Sequence, residues 1–281
     1  MSTTINQAQK PAVVSAKTAN RMFSVLDCLA ENRGLMKIQD ISSNLGINQP
    51  TIHRYLTAMV ESGYVYQDPD SLRYGLTMKI CRLAYQVSSA MNMNMRMIVL
   101  PHLLEISRQQ DTGSCFAVIQ GLDAFYLDAI DKPSAIISSL MRIGKDAPLH
   151  CSGSGKIFLS QFTPEQIDEY IETKGLTPLT KNTITSKDTL SKELEDIRKK
   201  GYALDREECD LGVTCIAVPV FNYTDKIMAA MSVFDSTNIF THERRVSALL
   251  ELQKRAITIS NLLGCSDYPI ARLSPNDDLE L

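Results

Sequence analysis

The chain has 281 residues, enough for one small domain and one of ordinary size, each with its own core. Hydrophobic residues make up 44% of it and charged residues 22%, which is typical of a soluble globular protein. The formal net charge of −3 provides no general attraction to nucleic acid. Any contact with DNA must therefore come from the local placement of basic residues.

Seven cysteines are scattered along the chain, and no two of them form a C-x-x-C pair. An odd and scattered set argues against both a disulfide framework and a zinc finger, and it suits a reducing compartment. The N-terminal residues contain no apolar core of the kind found in signal peptides. No segment approaches the roughly 20 apolar residues of a membrane span. We therefore expect a cytoplasmic protein that makes no contact with a membrane.

A polar arm and two short helices are predicted first. Residues 1–17 are polar, small and aperiodic, which indicates a flexible arm. Helical apolar spacing begins at Met22 and ends before Gly34. A second helix follows and ends at Gly46, its expected C-cap. The inward residues of this second helix are Ile38, Ile41 and Leu45.

A third helix and a pair of strands complete the first domain. Asn48 is a good N-cap, and Pro50 follows in the first turn, where its missing N–H costs nothing. The helix is expected to stop at Gly63, with two strands around the turn at residues 68–71. The residues expected inside the helix are Ile52, Leu56, Met59 and Val60. Three helices followed by a hairpin predict a winged helix-turn-helix over residues 18–76.

A linker helix is predicted over residues 77–100. Apolar residues recur at helical spacing from Met78 to Val87, and a methionine-rich stretch then leads to Pro101. We expect a break near Pro101, because proline removes a backbone hydrogen bond and clashes with the preceding turn. Methionines at this spacing are more often core or subunit-interface residues than reactive groups.

Residues 101–264 predict a domain of a different class. Strand-like runs come first, helices follow, and two more strands precede a last helix. These segments are, in order, 114–119, 124–130, 135–143, 154–161, 164–173, 187–200, 216–220, 227–234 and 241–263. The order favours an α+β domain with helices on the faces of an antiparallel sheet. Thr163 and Gln166 fit a capping box, and residues 265–281 look like a flexible tail.

The third helix has the pattern of a helix that reads the major groove of DNA. Such a helix needs one apolar side on a scaffold and hydrogen-bonding residues on the opposite side of its N-terminal half. The residues expected to contact bases are Gln49, Thr51, His53 and Arg54. Arg73 of the hairpin is placed to meet a phosphate or the minor groove. The alternative is a protein-interaction winged helix in which Arg54 is only a solvated surface residue.

The predicted DNA-binding domain is balanced in charge. Between Thr18 and Lys79, six basic residues are matched by six acidic ones. A single copy would therefore bind double-stranded DNA weakly. This balance favours a dimer or a tetramer, in which several copies add their half-sites.

Three stretches of the chain carry a recognisable pattern. They are residues 51–56 (TIHRYL) with 63–65 (GYV), residues 144–156 (GKDAPLHCSGSGK) and residues 201–219 (GYALDREECDLGVTCIAVP). In this order they closely resemble the IclR family of bacterial transcription regulators, over about residues 19–264.

This resemblance implies a winged helix-turn-helix, a linker helix and a GAF-like effector-binding domain over residues 101–264. It also implies a homodimer or a homotetramer, bound to operator DNA at promoters of catabolic genes. The implied effector is a small organic or sugar-derived acid. The chain looks most like repressors of the family, and an activator is the alternative.

A short glycine-rich segment leads into one of the predicted helices. Unpaired N–H groups at a helix start can seat a carboxylate or a phosphate, and glycines let a ligand approach. The segment is Ser152-Gly153-Ser154-Gly155. It is not a Walker A loop, because Ile157 follows Lys156 and the leading glycine is absent. The alternative is that these glycines only permit a tight turn beneath the sheet.

The resemblance also implies an effector pocket, carried over position by position. The implied pocket residues are Ile136, Ser139, Gly153, Ser154, Asp205, Val213, Cys215 and Ser232. Asp205 and Ser232 would bond hydroxyls or a second polar end of the ligand, while Ile136 and Val213 would wall the site. Phe234 stands where relatives often place a small polar residue. Its ring would shorten the cavity unless it points outward.

Several residues of the second domain also invite a metal or a nucleophilic interpretation. They are His150, Cys151, Asp205, Cys209 and Cys215. Neither a metal site nor a catalytic set is indicated by their spacing, and a buried cysteine is usually a small hydrophobe. We therefore expect no metal, no cofactor and no enzymatic activity. A metal sensor or a GAF-type enzyme acting on a small molecule is the lesser alternative.

Overall fold

The structure, a computed structural model, describes residues 16–32, 34–83, 93–133, 143–274, 277 and 279. Contacts divide the chain into the units Met1–Asn92 and Met93–Leu281. This division falls inside the predicted linker segment rather than at residue 101. Each unit has its own cluster of buried apolar side chains.

In the N-terminal unit, three helices precede a two-stranded hairpin. The elements are α1 (Ala16–Glu31), α2 (Ile38–Leu45), α3 (Gln49–Glu61), β1 (Val65–Gln67) and β2 (Tyr74–Leu76). β1 and β2 pair antiparallel, and Met36 joins them through a bridge to Tyr74. Apolar side chains of the helices and the hairpin form one cluster, which includes Val25, Ile41 and Leu56. The predicted winged helix-turn-helix is confirmed.

Local sequence signals set the ends of α2 and α3. Gly46 ends α2 in the left-handed conformation, with φ of 62°, which costs glycine little. The Oδ1 atom of Asn48 accepts a hydrogen bond from the N–H of Thr51 at 3.0 Å, so Asn48 is the N-cap of α3. Both caps were predicted. At the other end of the unit, α1 begins at Ala16, so the last part of the predicted arm is helical.

The C-terminal unit begins with a helix that continues through a proline. This helix, α4 (Met93–Gln110), contains Pro101 in its interior, so the predicted break is wrong. Pro101 and Met97 are both exposed, and the carbonyl of Met97, which loses its helical hydrogen bond, is therefore on the hydrated side. Val99 and Leu103 on the opposite side pack into the core and hold the helix together across the proline. Before α4, residues 79–83 are helical, and the rest of the predicted linker up to residue 92 lies outside the described residues.

Five described strands form one antiparallel sheet in the order β4-β3-β7-β6-β5. They are β3 (Gly113–Gln120), β4 (Asp123–Ile130), β5 (Ala203–Arg206), β6 (Val213–Phe221) and β7 (Ile227–Ser236). The edge strand β5 was not predicted, because it has four residues and ends in two charged ones. Of the strand predicted over 135–143, all but Ile143 lies outside the described residues, and Ile143 lies in a turn.

Helices cover both faces of the sheet. α4 and α8 (His242–Leu262) cover one face, whose side chains are large, for example Phe116 and Met231. α5 (Gly153–Leu159), α6 (Pro164–Lys174) and α7 (Lys187–Lys200) cover the other. The predicted capping box at the start of α6 is present. The α+β class with helices on an antiparallel sheet is therefore confirmed.

The chain after α8 packs back onto the C-terminal unit. Gln253 of α8 is buried and binds this segment twice, because its Nε2 donates to the carbonyl of Ala271 at 2.9 Å and its Oε1 accepts from the N–H of Leu273 at 2.8 Å. The Tyr268 hydroxyl donates to the carbonyl of Pro219 at 2.7 Å. The prediction of a flexible tail over residues 265–281 is therefore wrong for residues 265–274. The segment forms no helix or strand, and its contacts depend on residues far away in the sequence.

Candidate functional site

One side of α3 is anchored in the core of the N-terminal unit, and the other side is exposed. Ile52, Leu56 and Met59 are buried as predicted. Val60 is 39% exposed, so its predicted burial is wrong, and Tyr55, which is 4% exposed, takes its place in the core. The buried side that a groove-reading helix requires is therefore present, although one of its residues differs from the prediction.

The predicted base-contacting residues lie together on the free side of α3. Gln49, His53 and Arg54 are exposed, and Thr51 is half-buried beside the N-cap. The guanidinium of Arg54 lies 5.8 Å from the centroid of the Tyr55 ring. Within the described residues, no ion pair holds Arg54, and no hydrogen bond holds the side chain of Gln49 or His53. These side chains are therefore available to a partner.

Arg73 lies in the hairpin, next to β2, and its side chain is exposed. The turn that precedes it is closed by Asp68, whose Oδ1 accepts from the N–H and the hydroxyl of Ser71 at 2.8 and 2.6 Å. These hydrogen bonds lower the pKa of Asp68. The carboxylate therefore stays charged, and it limits how strongly the hairpin attracts a phosphate.

In the C-terminal unit, the described residues of the predicted effector pocket lie on or over one face of the sheet. Asp205 of β5 pairs with Cys215 of β6, and Cys215 pairs with Phe234 of β7. Ser232 pairs with Ala217 in the next row on the same face. Val213 is two residues from Cys215 along β6, so it points to this face as well. Ile136 and Ser139, the other two predicted residues, lie outside the described residues.

The start of α5 lies directly against this face. A Cβ atom added at Gly153 would lie 3.3 Å from both the Cβ of Ala217 and the Sγ of Cys215. A Cβ atom added at Gly155 would lie 2.3 Å from the carbonyl oxygen of Pro148, which is backbone and cannot yield. Both glycines therefore allow α5 to pack closely against its surroundings.

Two serines at this helix start differ in their partners. The Ser152 hydroxyl accepts from the N–H of Gly155 at 2.9 Å, so Ser152 is the N-cap of α5. The Ser154 hydroxyl is 1% exposed and has no hydrogen-bond partner among the residues that the structure describes. A buried hydroxyl without a partner is costly, and such groups call for an explanation. Ser154 is therefore the residue of this segment whose side chain remains free to bind a ligand.

Asp205 primarily supports the loop that follows β5. Its Oδ1 accepts from the N–H groups of Glu208 and Cys209 at 2.7 and 3.3 Å. Burial raises the pKa of Asp205, and these hydrogen bonds, together with nearby Lys156, offset only part of that effect. The carboxylate that the resemblance assigns to the effector is thus already used in part by the chain itself.

A buried ion-pair cluster lies beside this loop. The Nζ atom of Lys156, in the middle of α5, lies 2.6 Å from Oε1 of Glu208 and 2.9 Å from Oε1 of Glu193. The second carboxylate oxygen of Glu208 is buried and has no hydrogen-bond partner in the described part of the chain. The sequence interpretation missed this cluster. Its one signal is a lysine inside a helix whose other residues are glycine, serine and apolar.

The residues weighed as metal ligands or nucleophiles fall into two separate groups. The ring nitrogens of His150 are both occupied, Nδ1 by the Tyr170 hydroxyl and Nε2 by the Thr177 carbonyl, each at 3.0 Å. Burial lowers the pKa of His150, so the ring is neutral at pH 7. The sulfurs of Cys151 and Cys209 lie 3.1 Å apart. Across the part of the chain that is described, no group of three or more such residues has an arrangement that could hold a metal ion.

Phe234 extends along the pocket face towards β3. A Cβ atom added at Gly113, its partner across the strands, would lie 2.2 Å from the Phe234 ring, so the ring covers the glycine. The ring is partly buried against the cluster beneath α5. It therefore occupies space on the sheet face, and it limits the ligand that this face can take.

Comparison with known proteins agrees with these two units. The family model for the IclR helix-turn-helix domain matches residues 18–69, and the model for the bacterial transcriptional regulator IclR C-terminal domain matches residues 87–261. The DNA-binding transcriptional repressor YiaJ of Escherichia coli (strain K12) is 30% identical over 260 residues, which cover 92% of this chain and 91% of the relative.

Solved structures share the fold over most of the chain. The crystal structure of the Thermotoga maritima IclR is 29% identical, with a TM-score of 0.70, and the match covers 89% of this chain and 100% of that one. An IclR homologue from Microbacterium hydrocarbonoxydans, crystallised in complex with 4-hydroxybenzoate, is 24% identical, with a TM-score of 0.74 and coverage of 88% and 98%.

The fold, with its helix-turn-helix unit, and these relatives define the class of the protein as a helix-turn-helix transcription regulator. Both family models match in the expected order, and one of them alone spans more than half of the chain. The chain belongs to the IclR family. None of the helices in the described part of the chain is long and apolar enough to cross a membrane.

Proposed function

We propose that this protein is a ligand-responsive repressor that binds operator DNA as a homodimer or homotetramer and is released by a small organic or sugar-derived acid. The observation that carries the proposal is the free side of α3. There Gln49, His53 and Arg54 are exposed and unpaired within the described residues, on a helix that is fixed by a buried opposite side.

The chemistry of these side chains suits base recognition. Arginine binds guanine in the major groove through two hydrogen bonds, and glutamine binds adenine in the same way. Thr51 and His53 add further donors and acceptors in the same half of the helix. Arg73 then supplies a contact from the hairpin to the backbone or the minor groove. The alternative, a protein-interaction domain, would need neither the base-recognising side chains on α3 nor the arginine in the hairpin.

We propose more than one copy because the balanced charge of the DNA-binding unit favours a dimer or a tetramer. Phosphate contacts provide most of the affinity for DNA, and one balanced domain supplies few of them. Exposed apolar side chains support self-association. Met97, which is 72% exposed, and Leu104 lie seven residues apart on the same side of α4. Two copies would place two recognition helices about one or more DNA turns apart.

The effector is proposed to bind on the sheet face beside the start of α5. Val213, Cys215 and Ser232 lie on one face of the sheet, and Gly153 and Ser154 lie against it. The Ser154 hydroxyl has no hydrogen-bond partner among the described residues. Among the described residues of α5, its only cation, Lys156, is already paired. Support for an acid therefore comes from the resemblance and from the relative that binds 4-hydroxybenzoate, a small aromatic acid.

The DNA claim is tested by selecting duplexes from a random library with the full-length protein and measuring affinities by gel shift. Arg54→Ala is expected to weaken binding to the selected duplex about 5- to 150-fold, as loss of a base contact does. Arg272→Ala removes another exposed arginine, from the C-terminal unit, and is expected to have no effect. Equal affinities for wild type and Arg54→Ala would show that α3 does not read the bases.

The effector claim is tested by the thermal stability of the full-length protein in the presence of 4-hydroxybenzoate, gluconate and galacturonate. An acid at a hundred times its Kd adds about 2.7 kcal/mol to the folded state. Ser154→Ala is expected to keep or raise the melting temperature without ligand, since it removes an unsatisfied hydroxyl, and to weaken the response to the acid. If Ser154→Ala responds to the bound acid as wild type does, the pocket is misplaced.

A further inference from the structure

Two cysteines that are far apart in the sequence meet at the edge of the proposed effector site. Cys151 and Cys209 are separated by 58 positions, and their sulfurs lie 3.1 Å apart. Both thiols are free. A disulfide has a sulfur–sulfur length of about 2.05 Å, so a bond requires an approach of only about 1 Å.

Both residues lie in loops whose backbones are held in place. Cys151 immediately precedes Ser152, the N-cap of α5. Cys209 lies in the loop after β5, where its N–H donates to the carboxylate of Asp205. The neighbouring Glu208 carbonyl accepts from the Thr183 hydroxyl at 2.7 Å. The two sulfurs therefore face each other because of the fold, and not because a free loop happens to bring them together.

The two thiols differ in access to solvent. Cys151 is buried, whereas Cys209 is partly exposed. An oxidant arriving from solvent therefore meets Cys209 first and finds Cys151 directly behind it. This arrangement resembles that of redox-sensitive cysteines, in which one thiol is oxidised and a neighbouring thiol resolves the product.

We propose that Cys151 and Cys209 form a redox modification site, which a hydroperoxide converts into a disulfide that ties the loop after β5 to the start of α5. Hydrogen peroxide transfers one oxygen to the Cys209 sulfur, giving a sulfenic acid and water. The Cys151 sulfur then attacks the Cys209 sulfur. The S–S bond forms, the S–O bond breaks, and the hydroxyl leaves as a second water with the thiol proton of Cys151. The two sulfurs lose two electrons, and the peroxide gains them.

The rate of this oxidation depends on pH. The pKa of the Cys209 thiol is raised by its hydrogen bond with Cys151, by burial and by the nearby carboxylate of Asp205. Because the thiolate is the nucleophile, the reaction is slow at neutral pH and accelerates as the pH rises.

The disulfide would restrict the proposed effector site. The loop of Cys209 is anchored by Asp205, and α5 carries Gly153 and Ser154 over the same sheet face. A covalent link between them would fix the distance across the pocket mouth. This consequence rests on the proposed function, whereas formation of the disulfide does not.

The test is treatment of the full-length protein with hydrogen peroxide, followed by mass spectrometry of a digest prepared without reductant. We expect a peptide that links Cys151 to Cys209, with a loss of two hydrogens, which disappears after reduction with dithiothreitol. The linked peptide should be absent from Cys209→Ser, which lacks one of the two sulfurs. Its yield should be unchanged in Cys81→Ser, which removes an exposed cysteine in the N-terminal unit.

Two results would overturn the inference. One is the absence of the linked peptide while Cys81 is fully oxidised, which would prove that the oxidant was active. The other is a link from either residue to Cys215 instead. If the disulfide forms but an acid that binds the reduced protein shifts the melting temperature of the oxidised protein equally, only the link to the proposed effector site fails.

Discussion

The ammonium of Lys156 lies 2.6 Å from the carboxylate of Glu208, in a part of the C-terminal unit where Lys156 is 0% exposed. Burial alone would lower the pKa of Lys156, but the carboxylates of Glu208 and Glu193 outweigh it and raise that pKa. The lysine is therefore charged at neutral pH. One cation holds three pieces of the fold together, namely α5, α7 and the loop after β5.

Replacing Lys156 with methionine should destabilise the C-terminal unit by about 3–5 kcal/mol, because it leaves a buried carboxylate without a counter-charge. The free energy of unfolding of this unit can be followed by urea denaturation. Lys199→Met is the matched control, since Lys199 forms an exposed pair with Glu195 and should contribute nothing measurable. Equal midpoints for the two variants would show that the buried pair adds no stability.

The role of Asp205 should be visible in how the stability of two variants at this position depends on pH. Folding raises its pKa through burial, so the folded protein holds this proton more tightly than the unfolded chain does. Its contribution to stability is therefore greatest at about pH 4 and below, and declines as the pH rises through the folded pKa. Asp205→Asn keeps the acceptor for Glu208 and Cys209 but does not titrate. Its stability relative to wild type should increase from pH 4 to pH 7.

Asp205→Ala is the companion variant, because it removes the acceptor as well as the charge. It should be less stable than Asp205→Asn at every pH, by about 1–3 kcal/mol, since two backbone N–H groups lose their partner. The comparison separates the charge of Asp205 from its role in supporting the loop. If the difference between Asp205→Asn and wild type is flat between pH 4 and pH 7, the carboxyl is not perturbed by burial.

Two truncations one turn apart on α3 should reduce the stability of the N-terminal unit by unequal amounts. Leu56→Ala should destabilise the N-terminal unit by about 2–5 kcal/mol, because Leu56 is fully buried. Val60→Ala should change stability by less than about 0.5 kcal/mol, because Val60 is exposed. Hydrogen exchange of peptides from α3 would measure both. A loss for Val60→Ala comparable to that for Leu56→Ala would place Val60 in an interface between copies.

The sequence could identify the buried side of α3 but not its edges. At about 100° per residue, Tyr55 lies about 60° to one side of Ile52, and Val60 lies about 80° to the other. Both positions flank the buried stripe, and only the placement of α1 and the hairpin decides which of them is covered. Periodicity therefore predicts Ile52 and Leu56 correctly and chooses wrongly between the two flanking residues.

Local sequence patterns also predict only part of the proposed effector site. The glycine-rich segment and the capping box at Thr163 are local, so they were predictable from neighbouring residues. The pairing of Lys156 with Glu208 joins residues 52 positions apart, and it depends on how α5 docks on the sheet. No local pattern encodes that distance. The sequence did not predict the short edge strand β5 for a related reason. Its pairing with β6, and not its own composition, makes it a strand.

The C-terminal segment should lose its order when Gln253 is replaced. Gln253→Leu removes the partners of the Ala271 carbonyl and the Leu273 N–H, which should cost about 1–3 kcal/mol. Hydrogen exchange of residues 265–274 should accelerate, while α3 in the other unit is unchanged. Gln120→Leu, at an exposed position at the end of β3, is the matched control and should leave the exchange of this segment as in wild type. Residues 265–274 of the wild-type protein could instead exchange as fast as an unstructured peptide. That result would show that Gln253 does not hold them and that the segment is a flexible tail.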